Sequence, residues 1–176
     1  VHGGGAGDIA ISQSVGSSVL LDTLTATGAS ISLRNVATNG NQTYTGLVAL
    51  NGALAAQGGG SAITITGPLS LEGDSSLQAG AAVSVNGNIA SALNQGRSLT
   101  ILSTPTITIT GNVGQDAGTE LGSLITTGSG TLAFGDSSAN QQVIRTVGAQ
   151  NYAHGVTVTQ NTLFSSNSGG AITFGS

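Results

Sequence analysis

The sequence contains no cysteine, methionine, tryptophan or lysine, and only 2 prolines among its 176 residues. Without cysteine there can be no disulfide and no thiolate-bound metal. Charged residues make up 6% of the chain, where an ordinary soluble domain carries about 25%. The three basic residues, Arg34, Arg97 and Arg145, are too few to neutralise a run of phosphates, so nucleic acid is not an expected partner. No stretch approaches the roughly 20 apolar residues that cross a bilayer, so membrane insertion is not expected. Nor does any segment read as a basic leader with an apolar core. The opening Val1-His2-Gly3-Gly4-Gly5 reads as the start of an excised or processed piece.

What is present is glycine (29 residues), a 38% hydrophobic fraction and a net charge of only −4. Disordered chains combine low hydrophobicity with high net charge, the opposite of this balance. The apolar residues are mostly Val, Ile and Leu and recur in short alternating runs. Examples are Ala62-Ile63-Thr64-Ile65-Thr66, Ala82-Val83-Ser84-Val85 and Thr106-Ile107-Thr108-Ile109-Thr110. Alternation with a period of two puts one apolar and one hydroxyl-bearing face on each run, the pattern of a half-buried strand. Ile63, Ile65, Ile107 and Ile109 are thereby expected to point inward and stack. No segment has helical periodicity, so the fold class is all-β.

Longer repeats choose among β architectures. Asn41-Gln42-Thr43-Tyr44-Thr45-Gly46-Leu47-Val48 matches Ala149-Gln150-Asn151-Tyr152-Ala153-His154-Gly155-Val156. Gln42, Tyr44 and Val48 correspond to Gln150, Tyr152 and Val156 at an offset of 108 (152 − 44). Upstream, Leu21 to Gly28 recurs at Leu121 to Gly128, an offset of 100 (121 − 21); downstream, Ala62-Ile63-Thr64 recurs as Ala171-Ile172-Thr173, an offset of 109 (171 − 62). The chain therefore reads as one β-solenoid segment, 1–176, with a repeat of about 100–109 residues present almost twice; the drifting offset implies loop insertions between matched strands. A finer rhythm, Thr25, Thr45, Thr66 and Thr108, suggests coils of about 20 residues. On that estimate the chain winds about eight or nine coils into a rod of order 40 Å.

Such a coil needs glycine at its corners and leaves a narrow core in which large aromatic rings are expected to fit poorly. Asn39-Gly40, Asn51-Gly52 and Asn86-Gly87 are also hairpin-type dipeptides, the mark of the rival sandwich or barrel.

The run Gly40-Asn41-Gln42-Thr43-Tyr44-Thr45-Gly46-Leu47-Val48 and its counterpart Thr146-Val147-Gly148-Ala149-Gln150-Asn151-Tyr152 resemble a recurrent motif of filamentous-haemagglutinin-like exoproteins. The stretches from Val15-Gly16 to Gly28 and from Val113-Gly114 to Gly128 resemble the segment that precedes that motif. The resemblance implies a right-handed parallel β-helix, the stalk of an adhesin secreted to the bacterial cell surface through an outer-membrane partner in a Gram-negative organism. An uncapped solenoid exposes unpaired edge strands, so neighbouring repeats or copies stacked end to end are the expected partners; binding of a host-cell or matrix glycan or polysaccharide along the side of the coils is an alternative without a located site. The family's amino-terminal Asn-Pro-Asn secretion motif does not occur in this sequence.

Catalytic readings are weaker. The carboxylates are Asp8, Asp22, Glu72, Asp74, Asp116, Glu120 and Asp136. Glu72 and Asp74, which flank Gly73, could sit together for polysaccharide cleavage, but such chemistry needs two carboxyls at a defined separation, and a solvated turn is the better reading. Gly3-Gly4-Gly5-Ala6-Gly7-Asp8 is a single glycine-aspartate run, whereas calcium rolls share the ion between successive turns. His2 and His154 stand alone, and His154 reads as a surface loop residue. No serine has a His and Asp constellation around it. No cofactor, metal or enzymatic activity is expected. The Thr-x-Thr runs raise an ice-binding alternative, with the ladder expected to break at Asn86-Gly87 and near Thr126-Thr127.

Overall fold

In the computed structural model, which describes residues 7–103, 105–135 and 141–175, the chain is a three-sided parallel β-helix. Every strand pairing is parallel, and no helix occurs among the described residues. Parallel neighbours cannot be joined by a two-residue hairpin. The Asn-Gly dipeptides accordingly lie at corners between successive sides, as where Asn51-Gly52 leads from Gln42–Leu50 into Ala53–Ala56.

One face stacks the first half of Leu24–Leu33, the first half of Gln42–Leu50, then Ala62–Thr66, Ala82–Asn86, Thr106–Ile109, Thr131–Phe134 and Gly155–Val158. The second face starts with Asp8–Ile11 and the second halves of those two long strands. It continues through Leu69–Leu71 and Ile89–Ser91, then by bridges through Val113 to Gln142–Thr146 and Thr162–Ser166. The third face stacks Val36–Thr38, Ala53–Ala56, Ser75–Ala79, Leu99–Ser103, Leu124–Thr127, Gln150–Tyr152 and Ile172–Phe174.

There are about 7 turns of about 22 residues, fewer and longer than a constant 20-residue coil would give. At about 4.8 Å per turn the stack is about 34 Å long. The threonine rhythm misled because its members are not one column. Thr45 lies opposite Thr66, but Thr25 lies opposite Thr43, and Thr108 opposite Ser84. Coil length also varies along the chain, longest in the middle coils and back to 20 residues from Gln142 to Thr162. An Asn side chain repeatedly accepts a backbone N–H of the following coil, from Asn35 to Ala53, Asn41 to Ala62, Asn88 to Asn112 and Asn112 to Val143. The sequence separation grows from 18 to 21, 24 and 31 along that series. These bonds link asparagine to backbone, so the corners are held by capped N–H groups and not by side-chain amide ladders.

The core is a single column. Ile63, Ile65, Ile107 and Ile109 are fully buried, while Thr64, Thr66, Thr108 and Thr110 on the alternate positions are not. Aromatic rings do enter it, contrary to the expectation from coil width. Tyr44, Phe134 and Tyr152 are fully buried, and Phe164 packs against the same cluster. Small partners make the room: Ala26 lies directly opposite Tyr44 in the preceding coil, and Thr126 opposite Tyr152. The last coils enclose a run of edge-on aromatic contacts, Phe134 to Tyr152 at 5.6 Å and Phe164 to Phe174 at 5.3 Å between ring centres.

Candidate functional site

The residues matched at offset 108 build one corner twice. At the first, Gln42 Nε2 donates to Val36 O (3.3 Å), Thr38 Oγ1 (3.2 Å) and Ala55 O (2.9 Å). Its Oε1 accepts from the Tyr44 hydroxyl at 3.0 Å, and Thr38 Oγ1 donates to Gly40 O at 2.6 Å. At the second, Gln150 Nε2 donates to Ile144 O (3.3 Å), Thr146 Oγ1 (3.2 Å) and Ser165 O (2.8 Å). Tyr152 OH donates to Gln150 Oε1 at 2.9 Å, and Thr146 Oγ1 to Gly148 O at 2.6 Å. Both glutamines and both tyrosines are fully buried. Burial in the apolar column raises both phenol pKa values well above the ordinary 10.0. Val48 and Val156, four residues beyond each tyrosine, enter the next side of the coil, Val48 fully buried and Val156 partly so.

The other matched segments belong to the same corner in the coils before and after. Leu24 lies opposite Gln42, and Leu124 opposite Gln150; Ile63 then covers Gln42, and Ile172 covers Gln150. The lower coil takes 18 residues (42 − 24) in one copy and 26 (150 − 124) in the other, which is the step from offset 100 to 108. The two copies sit on different sides of the prism. Gln42 is on the first face and Gln150 on the third, so the element recurs rotated by one corner. Gln142 resembles a third member without its tyrosine: Ile144 stands two residues on, and Gln142 Oε1 is buried with no partner. This corner is structural machinery and offers no exposed chemistry.

His154 is buried, not a surface loop residue. Its Nε2 lies 3.0 Å from Ser103 O and its Nδ1 3.3 Å from Thr126 Oγ1. A carbonyl only accepts, so Nε2 is the donor to Ser103 O. Glu72 and Asp74 are both engaged at their turn: Ser70 Oγ donates to Glu72 Oε1 at 2.9 Å, and Ser98 N to Asp74 Oδ1 at 2.9 Å. Among the described residues no three His, Asp or Glu side chains gather as a metal site. His2, Asp136 and Gly3 to Ala6 of the glycine run lie outside the described residues.

Two surface features remain. The first face presents an outward row, Thr25, Thr43, Thr64, Ser84, Thr108, Ala133 and Thr157, one residue per coil in register. Thr126 is not part of it; that side chain is buried on the third face. The second feature is a cleft of about 430 Å³, where loops of successive coils bulge beside the corner between the second and third faces; Asn94, Gly118, Glu120 and Val147 line it. Sequence reasoning did not single out these loops, although the lengthening coils were its signal.

No protein-family model, curated protein or solved structure matches the chain.

Proposed function

We propose that the chain is a non-catalytic structural element of a secreted bacterial adhesin or exoprotein, a β-helical stalk segment at the cell surface. The observation that carries this reading is the continuous three-sided stack, which converts sequence length directly into reach with almost no surface charge. Backbone ladders run along all three sides, so the rod resists bending and extension through bonds that depend little on side-chain identity. The repeated Gln–Tyr corner supports the resemblance to filamentous-haemagglutinin-like exoproteins, because the residues that carry the resemblance are those the fold uses to fix a corner. Neighbouring repeats or further copies would continue the stack, and no cofactor has a role in it. Antibodies raised against the chain should decorate fibres on the surface of the source cells and reduce their attachment to host or matrix. Labelling confined to the cytoplasm would overturn the proposal.

A second reading has one observation in its favour. The outward row on the first face spans seven coils without a charged residue, a regular methyl and hydroxyl surface of the kind that can order water. High β-propensity of outward threonine accounts for the same row without any ligand. Thermal hysteresis separates the two. An ice binder loses it on Thr64→Tyr but keeps it on Ser70→Tyr on the second face, whereas a stalk shows none in either case.

A further inference from the structure

Charge on this rod is sorted to one edge. Apart from Asp8 and Asp22 in the first coil, every described charged residue lies in or reaches the corner between the second and third faces. Arg34, Glu72, Asp74, Arg97, Asp116 and Glu120 sit in its loops, and Arg145 Nη1 donates to Gln115 O there at 3.0 Å. Among the described residues the third face itself projects no charged side chain, and depletion of charge marks the core of a protein interface. That face is also uneven. One outward column runs Ala53, Ser76, Thr100, Ile125, Asn151 and Thr173, one residue per coil. The first three line a shallow hollow of about 360 Å³. The last three continue the column beyond it, and Leu102, 38% exposed, stands beside Thr100 in the middle coil.

We propose that the third face pairs side by side with the same face of a second copy, the two rods antiparallel. The two-fold axis lies along the strands, between Leu99–Ser103 and Leu124–Thr127. It reverses the order of the coils and keeps position along each strand, so the contact closes on itself as an isologous pair. Ile125, Asn151 and Thr173 then face Thr100, Ser76 and Ala53 of the second copy and enter its hollow, and the second copy's three enter the first. Charge selects the same register. Arg97 comes opposite Asp116 and Glu120 of the second copy, and Glu72 with Asp74 opposite its Arg145. An axis half a coil away, on Leu99–Ser103, would set Glu72 and Asp74 against Asp116 and Glu120, acid against acid. Parallel rods would put the two charged edges on opposite sides of the pair, where no complement faces them. Six coils overlap over about 29 Å by about 16 Å, burying on the order of 1,000 Å² across the pair. That is the lower end of specific contacts, so the pair is weak and reversible.

Rods rooted on two facing surfaces meet antiparallel, so the pair extends the stalk reading to a contact between cells. Surface labelling decides the stalk reading independently of the pairing equilibrium. The test is sedimentation equilibrium of the chain carrying Val158→Asp and Phe174→Asp at the rod end, so that only side contacts remain. That chain should show a reversible monomer–dimer equilibrium at submillimolar concentration, and added salt should weaken it. Ser76→Leu adds apolar surface but fills the hollow, and should weaken the dimer about tenfold. Arg97→Asp should weaken it too, and Asp116→Arg in the same chain should restore it. Circular dichroism reports that each variant keeps its β signal. Spin labels on Gly59→Cys and Ser129→Cys, both exposed, report orientation. Antiparallel rods offset the two copies of the label along the axis by about 24 Å at the first site and about 5 Å at the second. Monomers at millimolar concentration, equal label separations at the two sites, or a folded Ser76→Leu variant that pairs as tightly as its parent would overturn the proposal.

Discussion

At the scale of single residues, the two tyrosines hold the most testable energy. Each hydroxyl is the donor to a buried glutamine Oε1, at 3.0 Å for Tyr44 and 2.9 Å for Tyr152. Tyr44→Phe keeps the ring and removes only that donor. A buried acceptor left without a partner costs about 1–3 kcal/mol, so denaturant unfolding should shift by that amount with no change in its slope. The same tyrosines predict an alkaline limit. Their phenols ionise less readily in the folded column than in the unfolded chain, where the pKa is near 10.0. Each contribution is therefore intact below about pH 10 and is lost as pH rises above it. A fall in β circular dichroism between pH 10 and 12 that is reduced in the Tyr44→Phe, Tyr152→Phe double variant would show this; identical curves would contradict it. Sequence comparison found these residues as a match but not as bonded pairs, because hydrogen bonding to a buried amide leaves no pattern distinct from any other conserved-looking spacing. His154 was illegible for a related reason. A lone imidazole in a glycine-flanked stretch looks exposed, and its partners Ser103 and Thr126 lie 51 and 28 residues away.

At the scale of the element, glycine sets how closely one coil can approach the next. Along one edge of the prism Gly28, Gly46, Gly67, Gly87 and Gly111 stack on one another. A side chain at Gly67 would run into Gly46 O, and its φ is 125°. Gly59, by contrast, has open space around it. Gly67→Ala should therefore destabilise the stack by several times more than Gly59→Ala, by midpoint of thermal unfolding. Equal effects would mean the edge can spread to admit a methyl group. The alternating strands were readable directly, since a period of two is local and each of the four core isoleucines declares its side by its neighbours. Coil length was not readable. It depends on which threonine pairs with which across 17–31 residues of variable loop, and the four threonines fall in two columns, Thr25 with Thr108 and Thr45 with Thr66.

At the scale of the whole molecule, the parallel β-helix was legible from composition and repeats together, while the three-sided cross-section and the rotation of the repeated corner were not. A one-dimensional offset counts residues and is blind to which side of the prism they land on. The same geometry makes a prediction about the ends. Phe134 and Tyr152 are fully buried, yet their in-register neighbours in the next coil, Val158 and Phe174, are 48% and 49% exposed. Phe164, in register with the fully buried Ile144, is only partly buried. The end of the column is thus an apolar cross-section, rimmed by the open strand edges of Gly155–Val158, Thr162–Ser166 and Ile172–Phe174. Such edges template further strands, and the usual protection by charge is missing. The partner of matching shape is the opposite end of another copy, which offers Asp8–Ile11 with Ile9 and Ile11 on its inner side. A head-to-tail contact of this kind does not close on itself, so it propagates into filaments. Concentrated protein should form thin rods by electron microscopy, with a meridional spacing of about 4.8 Å in fibre diffraction. Val158→Asp with Phe174→Asp should leave the β circular-dichroism signal in place and abolish the rods, because each new charge would be buried without a partner at the junction. Wild-type chains that stay monodisperse at millimolar concentration, or variants that assemble as readily as wild type, would remove axial stacking between copies.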